Sequence, residues 1–356
     1  MQHIKNTQDI LFEELVGHEG NIGLVTLNRP KALNALTHSM ILSLDKQLTL
    51  WEEQENIKAI VITAVEGRAF CAGGDIRFTY EKWDYNDGSL PLYFRDEYRL
   101  NRRIFHYSKP YIALLDGITM GGGVGISIHG SHRVATENLV FAMPETGIGF
   151  FPDVGGTYFL PRLPDKFGYY LGITGTRIDC HDCCALGLTQ HFVSRASLTQ
   201  IITLLKETSF KKNARSVVTH ILNSFQLPVL SSTFLTRKEE CNTHFSKSTI
   251  EEILASLDTS SWGKELITQI KRKSPTSLKV TLYQLQQGET LNFDSCMRLE
   301  YQLVNRFLNA HDFREGIRAV LIDKDQSPKW QPAEIEAVSM EEVKKYFLPL
   351  GAEMDL

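Results

Sequence analysis

The chain has 356 residues, 42% of them hydrophobic and 22% charged, with a formal net charge of −4. That is enough apolar content for a sizeable core in one large domain or two. The acidic balance gives no reason to expect nucleic acid or an anionic membrane as partner, and no apolar run approaches the ~20 residues that span a bilayer.

The amino terminus, Met1-Gln2-His3-Ile4-Lys5-Asn6-Thr7-Gln8-Asp9, lacks both the apolar core of a secretory signal and an Arg-rich transit pattern. The expected compartment is therefore the cytoplasm for a bacterial chain, whereas a processed eukaryotic one would point to mitochondria. Residues 22–27 and 58–63 are short and rich in β-branched side chains, which predicts strands. Between them Met40, Leu44, Leu48 and Trp51 share one helical face. A third strand is predicted at 111–115, followed by a glycine run and a helix from about Gly122 to His129. Two short strands are expected near 133–135 and 139–141. Strands and helices alternate to about residue 195, which indicates an α/β core. Beyond 197 helical patterning dominates, punctuated by Pro228, Pro275, Gly316 and the turn Ser327–Pro332. Ser339-Met340-Glu341-Glu342 reads as a capping box opening a last helix. The division expected along the chain is 1–196 for a catalytic core and 197–356 for a helical carboxy-terminal region.

Cysteines stand at 71, 180, 183, 184, 241 and 296, a spread that fits free thiols. Cys180-His181-Asp182-Cys183-Cys184 imitates a metal cluster, but structural zinc sites draw on a second ligand pair. A helix start with small buried thiols is the reading preferred, and no metal is expected.

Two segments carry the chemistry. Met143–Gly156 places Glu145 and Asp153 among Ile, Phe, Pro and Gly, where an unpaired carboxylate is costly to bury. Such acids are either structurally partnered or reserved for reaction. Upstream, Gly121-Gly122-Gly123 follows a predicted strand, and Phe70-Cys71-Ala72-Gly73-Gly74-Asp75 forms a second glycine turn. Glycine lets backbone N–H groups approach a ligand without Cβ obstruction. Two such donors on one carbonyl oxygen make an oxyanion hole; tight structural packing would explain either turn as well. The glycine spacing does not fit a dinucleotide fingerprint, and no phosphate loop is present. Gly125-Ile126-Ser127-Ile128-His129 is not a nucleophile elbow. His311-Asp312 looks like half a triad, yet a helix start explains it better.

On these residues the chain resembles the crotonase (enoyl-CoA hydratase/isomerase) superfamily, from about Ile22 to Gly351. Asn28-Arg29-Pro30-Lys31-Ala32-Leu33-Asn34-Ala35-Leu36 is similar to its CoA-binding opening, and the two glycine turns are similar to its oxyanion segments. Pro144-Glu145-Thr146, Phe151–Gly156, His311–Gly316 and Asp323–Trp330 resemble its hydrolase subgroup. The resemblance implies a crotonase-like ββα superhelix core with a helical carboxy-terminal region. It makes Gly74 and Gly122 the oxyanion donors and Glu145 and Asp153 the catalytic acids. Glu97, with Gly122, Glu145 and Asp153, becomes a substrate contact, although a solvated helix face would also account for it. Arg29, Lys31 and Ala32 are assigned to CoA, where the two cations could equally be plain surface charges.

The hydratases of the superfamily carry a second glutamate where this chain has Gly125. The implied activity is therefore hydrolysis of 3-hydroxyacyl-CoA thioesters, above all 3-hydroxyisobutyryl-CoA, a step of valine catabolism. Rival readings are a hydratase or isomerase on the same scaffold, or a non-catalytic CoA-binding protein. CoA enters as part of the substrate and no cofactor is implied. The superfamily forms trimers or hexamers, but this tail is longer than a hydratase's, so a homo-oligomer is expected without a defined order.

Overall fold

Parallel pairing of short β-branched strands organises the first part of the chain. The computed structural model describes residues 9–85, 87–210, 213–230, 232 and 234–350. Internal packing groups them into two units. The first contains residues up to Gly74, Arg99–Phe141 and Ile178–Leu235; the second contains Asp75–Tyr98, Ala142–Arg177 and the residues from Thr236 onward. The expected division at residue 196 follows secondary structure along the chain, whereas these units are discontinuous in sequence.

The strands are β1 (Ile10–Leu15), β2 (Asn21–Leu27), β3 (Ile57–Ala64), β4 (Ala69–Cys71) and β5 (Tyr111–Leu115). They continue with β6 (Ile118–Met120), β7 (His132–Ala135), β8 (Val140–Ala142), β9 (Ile178–Asp179) and β10 (His191–Phe192). One sheet has the order β1-β2-β3-β5-β7-β10 and the other β4-β6-β8-β9. β1 runs antiparallel to β2, with Ile10 opposite Leu27. From β2 onward the larger sheet is parallel. β3, β5 and β7 are each followed after a short turn by β4, β6 and β8 in the other sheet. That is the ββ repeat of the expected superhelix.

β5 is buried at all five positions, as a central parallel strand must be. On one sheet face Ile22, Val61, Ile112, Leu114 and Val134 cluster with Ile201, Leu205, Val218 and Leu222. Those four lie on the helices Leu198–Glu207 and Ala214–Asn223. Met40, Leu44, Leu48 and Trp51 are all buried on the helix His38–Glu53, as their spacing predicts. The Trp51 indole N–H donates to Glu14 Oε1 at 3.1 Å.

β1 was not expected. Its sequence, Ile-Leu-Phe-Glu-Glu-Leu, has one β-branched residue, so the hydrogen bonds to β2 rather than local propensity make it a strand. The helix predicted over 122–129 is also corrected: only Gly122–Gly125 is helical. Three of those four residues are glycine, the poorest helix former after proline. The Ser127 hydroxyl then donates to Gly123 O at 2.7 Å, competing with helix continuation.

The second unit is dominated by helices with strong caps. Thr249 and Glu252 form a reciprocal capping box, as do Ser339 and Glu342 at the position predicted. Ser274 caps the helix Pro275–Gly288, which has proline at its start. The helix Phe293–Phe307 buries Phe293, Cys296, Met297, Glu300, Leu303, Val304 and Phe307, a stripe at helical spacing. His311-Asp312 does open a helix, His311–Ile317. Asp312 accepts from Ser274 Oγ at 2.6 Å and from the Gln331 N–H at 2.8 Å. No helix among the described residues is long and apolar enough to cross a membrane.

Replacing Leu114 by Ala should cost about 2–5 kcal/mol in urea unfolding. A loss below about 0.5 kcal/mol would show that β5 is not the core strand.

Candidate active site

Both glycine turns leave the carboxyl ends of neighbouring parallel strands. β4 pairs with β6, Cys71 opposite Thr119, and the Gly73-Gly74 and Gly121-Gly122 turns follow directly. Gly73 has φ +122° and Gly121 φ +47°. A Cβ on Gly73 would lie 3.9 Å from the Gly122 nitrogen, so the turns are neighbours. A Cβ on Gly123 would lie 2.2 Å from Cys71 O, a clash no L side chain avoids. Among the described residues neither the Gly74 nor the Gly122 N–H donates to a backbone carbonyl. These donors are thus available. They are individual N–H groups with little help from a dipole, because the helix at Gly122 has four residues.

The Asn28–Leu36 segment is stitched to the first of these turns. The Ala72 N–H donates to Leu33 O at 3.0 Å and the Leu36 N–H to Gly73 O at 2.9 Å. The buried Asn34 amide donates to Ala69 O at 2.9 Å, and its oxygen accepts from the Arg29 N–H at 2.7 Å. Asn34 has φ +56°, a conformation its short polar side chain tolerates. Arg29, Lys31 and Ala32 line one groove of about 660 Å³ together with Asp9, Leu11 and Asn28. Arg29 donates to Ala35 O at 3.1 Å and lies 3.8 Å from Asp9. Its charge is partly used at home, whereas Lys31 is exposed.

The acids belong to the second unit. Glu97 is 2% exposed, Glu145 5%, Asp153 5% and Glu300 0%, so four carboxyl groups are out of water. The burial of Glu97 rules out a solvated helix face: it shares the stripe Leu90, Tyr93, Phe94, Glu97, Tyr98 of the helix Ser89–His106. The Tyr98 hydroxyl donates to Asp153 Oδ2 at 2.8 Å. Glu300 accepts from the Gly155 and Thr157 N–H groups at 2.8 and 2.9 Å. The Gln284 amide donates to Pro152 O and Thr157 Oγ1, each at 2.7 Å. Glu97 Oε1 and Glu145 Oε2 have no hydrogen-bond partner among the described residues.

Burial makes these acids weak. It pushes Asp153 up to about 7, against the lowering hydrogen bond from Tyr98. Glu300 rises to about 8, through burial first and then the Asp153 charge. Glu145 and Glu97 are raised well above the usual carboxylate range, by burial and then by Asp153. Lys273 is the opposing cation: burial lowers it to about 8, and its charge favours ionised Glu145.

Tyr98, Lys273 and Glu300 went unnoticed in the sequence. Glu300 left a signal, since it is a carboxylate at the centre of an apolar helical stripe. Lys273 left none. Asp75 caps the helix Ile76–Lys82, with Oδ1 accepting from the Phe78 N–H at 3.3 Å. Cys180–Ala185 is a helix capped by Asp179, with Cys180 and Cys183 buried. No group of three His, Cys, Asp or Glu among the described residues is placed to hold a metal ion.

The family model for enoyl-CoA hydratase/isomerase matches residues 22–347. The chain belongs to that family. It is 44% identical over 357 residues to a 3-hydroxyisobutyryl-CoA hydrolase, mitochondrial, of Homo sapiens, covering 99% of this chain and 91% of the human one. A carnitinyl-CoA dehydratase from Mycobacterium thermoresistibile superposes with a TM-score of 0.90 at 34% identity, over 98% of this chain and 99% of that one. An enoyl-CoA hydratase from Rhodobacter sphaeroides 2.4.1 gives 0.86 at 36% identity, over 98% and 100%. The fold is the crotonase-like α/β fold with a helical carboxy-terminal region. The mitochondrial name of the human relative gives no support to the cytoplasmic compartment expected from the amino terminus.

Two outcomes follow from this geometry. Asn34→Ala leaves Ala69 O without its donor and should cost about 1–3 kcal/mol in urea unfolding; no loss would mean the segment is held by other contacts. Asp153 keeps its proton in the folded chain between about pH 4 and 7, where the unfolded chain loses it. Its contribution to stability is full below the unfolded value and is lost as pH rises toward 7, at up to ~1.4 kcal/mol per unit. Asp153→Asn should therefore gain on the wild type between pH 4.5 and 7 in denaturant melts; an equal difference at both pH values would contradict the shift.

Proposed function

We propose that this chain hydrolyses 3-hydroxyacyl-CoA thioesters, 3-hydroxyisobutyryl-CoA foremost, to the 3-hydroxy acid and free CoA. One observation carries this reading. Glu145 and Asp153 are buried together on one loop, while Gly125 offers no side chain where a hydratase of the superfamily has its second glutamate. Addition of water across a double bond would lack one acid/base partner. Thioester hydrolysis needs an oxyanion site, a base and a means to hold the acyl group. The 44% identity to a named hydrolase supports the same choice.

In the proposed step the Gly74 and Gly122 N–H groups hold the thioester oxygen as it becomes negative. Losing one such donor typically costs ~10²–10³ in rate. Glu145 takes a proton from water as the water oxygen bonds to the carbonyl carbon, and the C–S bond then breaks to release CoA thiolate, which is protonated. Alternatively the Glu145 carboxylate attacks the carbonyl carbon first, the C–S bond breaks to release CoA thiolate, and water opens the resulting anhydride to the acid and free Glu145. Single turnover in H₂¹⁸O separates these routes, because label in the Glu145 carboxyl is expected only from the second. Asp153 and Glu97 bind the acyl part, Asp153 accepting from the 3-hydroxyl. Arg29, Lys31 and Ala32 receive CoA. The step consumes only water and needs no redox group.

The solved relatives named hydratase and dehydratase favour a second reading, water addition or removal on an acyl-CoA. A thiol-release assay with 3-hydroxyisobutyryl-CoA separates the two. The expected result is stoichiometric free thiol. An absorbance change with an unsaturated acyl-CoA and no thiol would replace the hydrolase reading. Isobutyryl-CoA, without the hydroxyl, should be turned over much less efficiently, and Asp153→Asn should lower activity while leaving CoA affinity largely intact. A base of raised pKa also requires kcat to rise with pH above the usual carboxylate range.

A further inference from the structure

We infer that Glu300 is a positioning residue for Asp153, clamping the Asp153–Thr157 turn to the helix Phe293–Phe307. This rests on the role proposed for Asp153. The turn is unusual: Val154 has φ +47° and Gly155 φ +92°. The left-handed region is unfavourable for a β-branched side chain, so other contacts must hold Val154 there. Glu300 supplies contacts at two positions directly after Val154. Its two oxygens take the Gly155 and Thr157 N–H groups at 2.8 and 2.9 Å. A bidentate carboxylate fixes the orientation of a peptide segment as well as its position. Gln284 also bonds this segment, at Pro152 O and Thr157 Oγ1, and Tyr98 bonds the Asp153 side chain, but neither takes those N–H groups. Glu300 is fully buried, so its clamp does not compete with water.

The same residue acts on charge. Glu97 and Tyr98 on the helix Ser89–His106, Asp153 on the turn, Glu145 on its short helical turn and Cys296 on Glu300's own helix all interact electrostatically with it. Every one of these partners is neutral or anionic. Ionised Glu300 therefore opposes ionisation of Asp153 and Glu145, and the cluster titrates as a group. A residue that merely filled space would leave the pH dependence of catalysis unchanged.

The test uses the full chain and two substitutions, Glu300→Gln and Glu300→Asp, with thiol release from 3-hydroxyisobutyryl-CoA followed from pH 5 to 9. Glu300→Gln keeps one acceptor and removes the charge. Its kcat should fall about 10- to 100-fold, KM should stay within about threefold, and the acid limb should move to lower pH by about half a unit. Glu300→Asp keeps the charge but is one methylene short, so kcat should fall with the limb unmoved. Wild-type kcat and an unmoved limb in folded Glu300→Gln would overturn the inference, as would a change in KM alone. If Glu300→Gln does not fold, Glu300→Asp decides: undiminished kcat overturns the inference and a fall of about tenfold supports it. Failure of the wild type to release thiol would sink the hydrolase reading itself, a result distinct from any behaviour of the variants.

Discussion

Four carboxyl groups taken out of water with few counter-charges are the constraint on which the second unit is built. An isolated buried carboxylate would be neutralised or would unfold its surroundings. Here the cost is offset piecemeal: a Tyr98 hydroxyl for Asp153, two peptide N–H groups for Glu300 and the Lys273 charge near Glu145. Each of these donors arrives on a different element. Tyr98 comes from the helix Ser89–His106 and Lys273 from just before the helix Pro275–Gly288, while the N–H groups belong to the acid loop itself. The long helical part of the chain is thus more than an appendage. It keeps the acids dry, and dryness raises their pKa values above the usual carboxylate range.

The same unit fixes the acid loop by close backbone approach. Gly316 sits where a Cβ would lie 2.2 Å from Ile148 O, so the helix His311–Ile317 rests directly on the loop's backbone. Phe150 stacks on Phe313 with ring centroids 4.2 Å apart, and Phe151 packs against Phe307 at 5.2 Å. Each such aromatic pair adds about 0.5–1.5 kcal/mol beyond the area it buries. The tail motif that resembles the hydrolase subgroup is explained physically as the bed of the acid loop.

The first unit solves a different problem, presenting backbone donors. Parallel strands β4 and β6 end side by side; positive φ favours glycine at Gly73 and Gly121, and close approach to Cys71 O demands it at Gly123. Crevices at the carboxyl ends of parallel strands are where such folds carry ligands. Asn34 ties the Asn28–Leu36 segment to the same place through Ala69 O. A segment assigned to CoA by resemblance and a turn assigned to the oxyanion therefore share one hydrogen-bonded framework.

Composition and periodicity already defined the alternation of strands and helices, the buried face of the helix His38–Glu53, the capping box at Ser339 and the two glycine turns. The segment Met143–Gly156 announced its acids because Glu and Asp stand out against Ile, Phe and Pro. These features are local, and local chemistry is written in neighbouring residues. The extent of the helix after Gly121 was misread because glycine content and the Ser127 hydroxyl outweigh apolar spacing. β1 was missed because its conformation comes from its partner strand. Glu300 reaches Gly155 across 145 positions of chain, and Lys273 approaches Glu145 from another element. Only tertiary packing decided those neighbours, since the strength of a buried charge depends on what folding brings beside it.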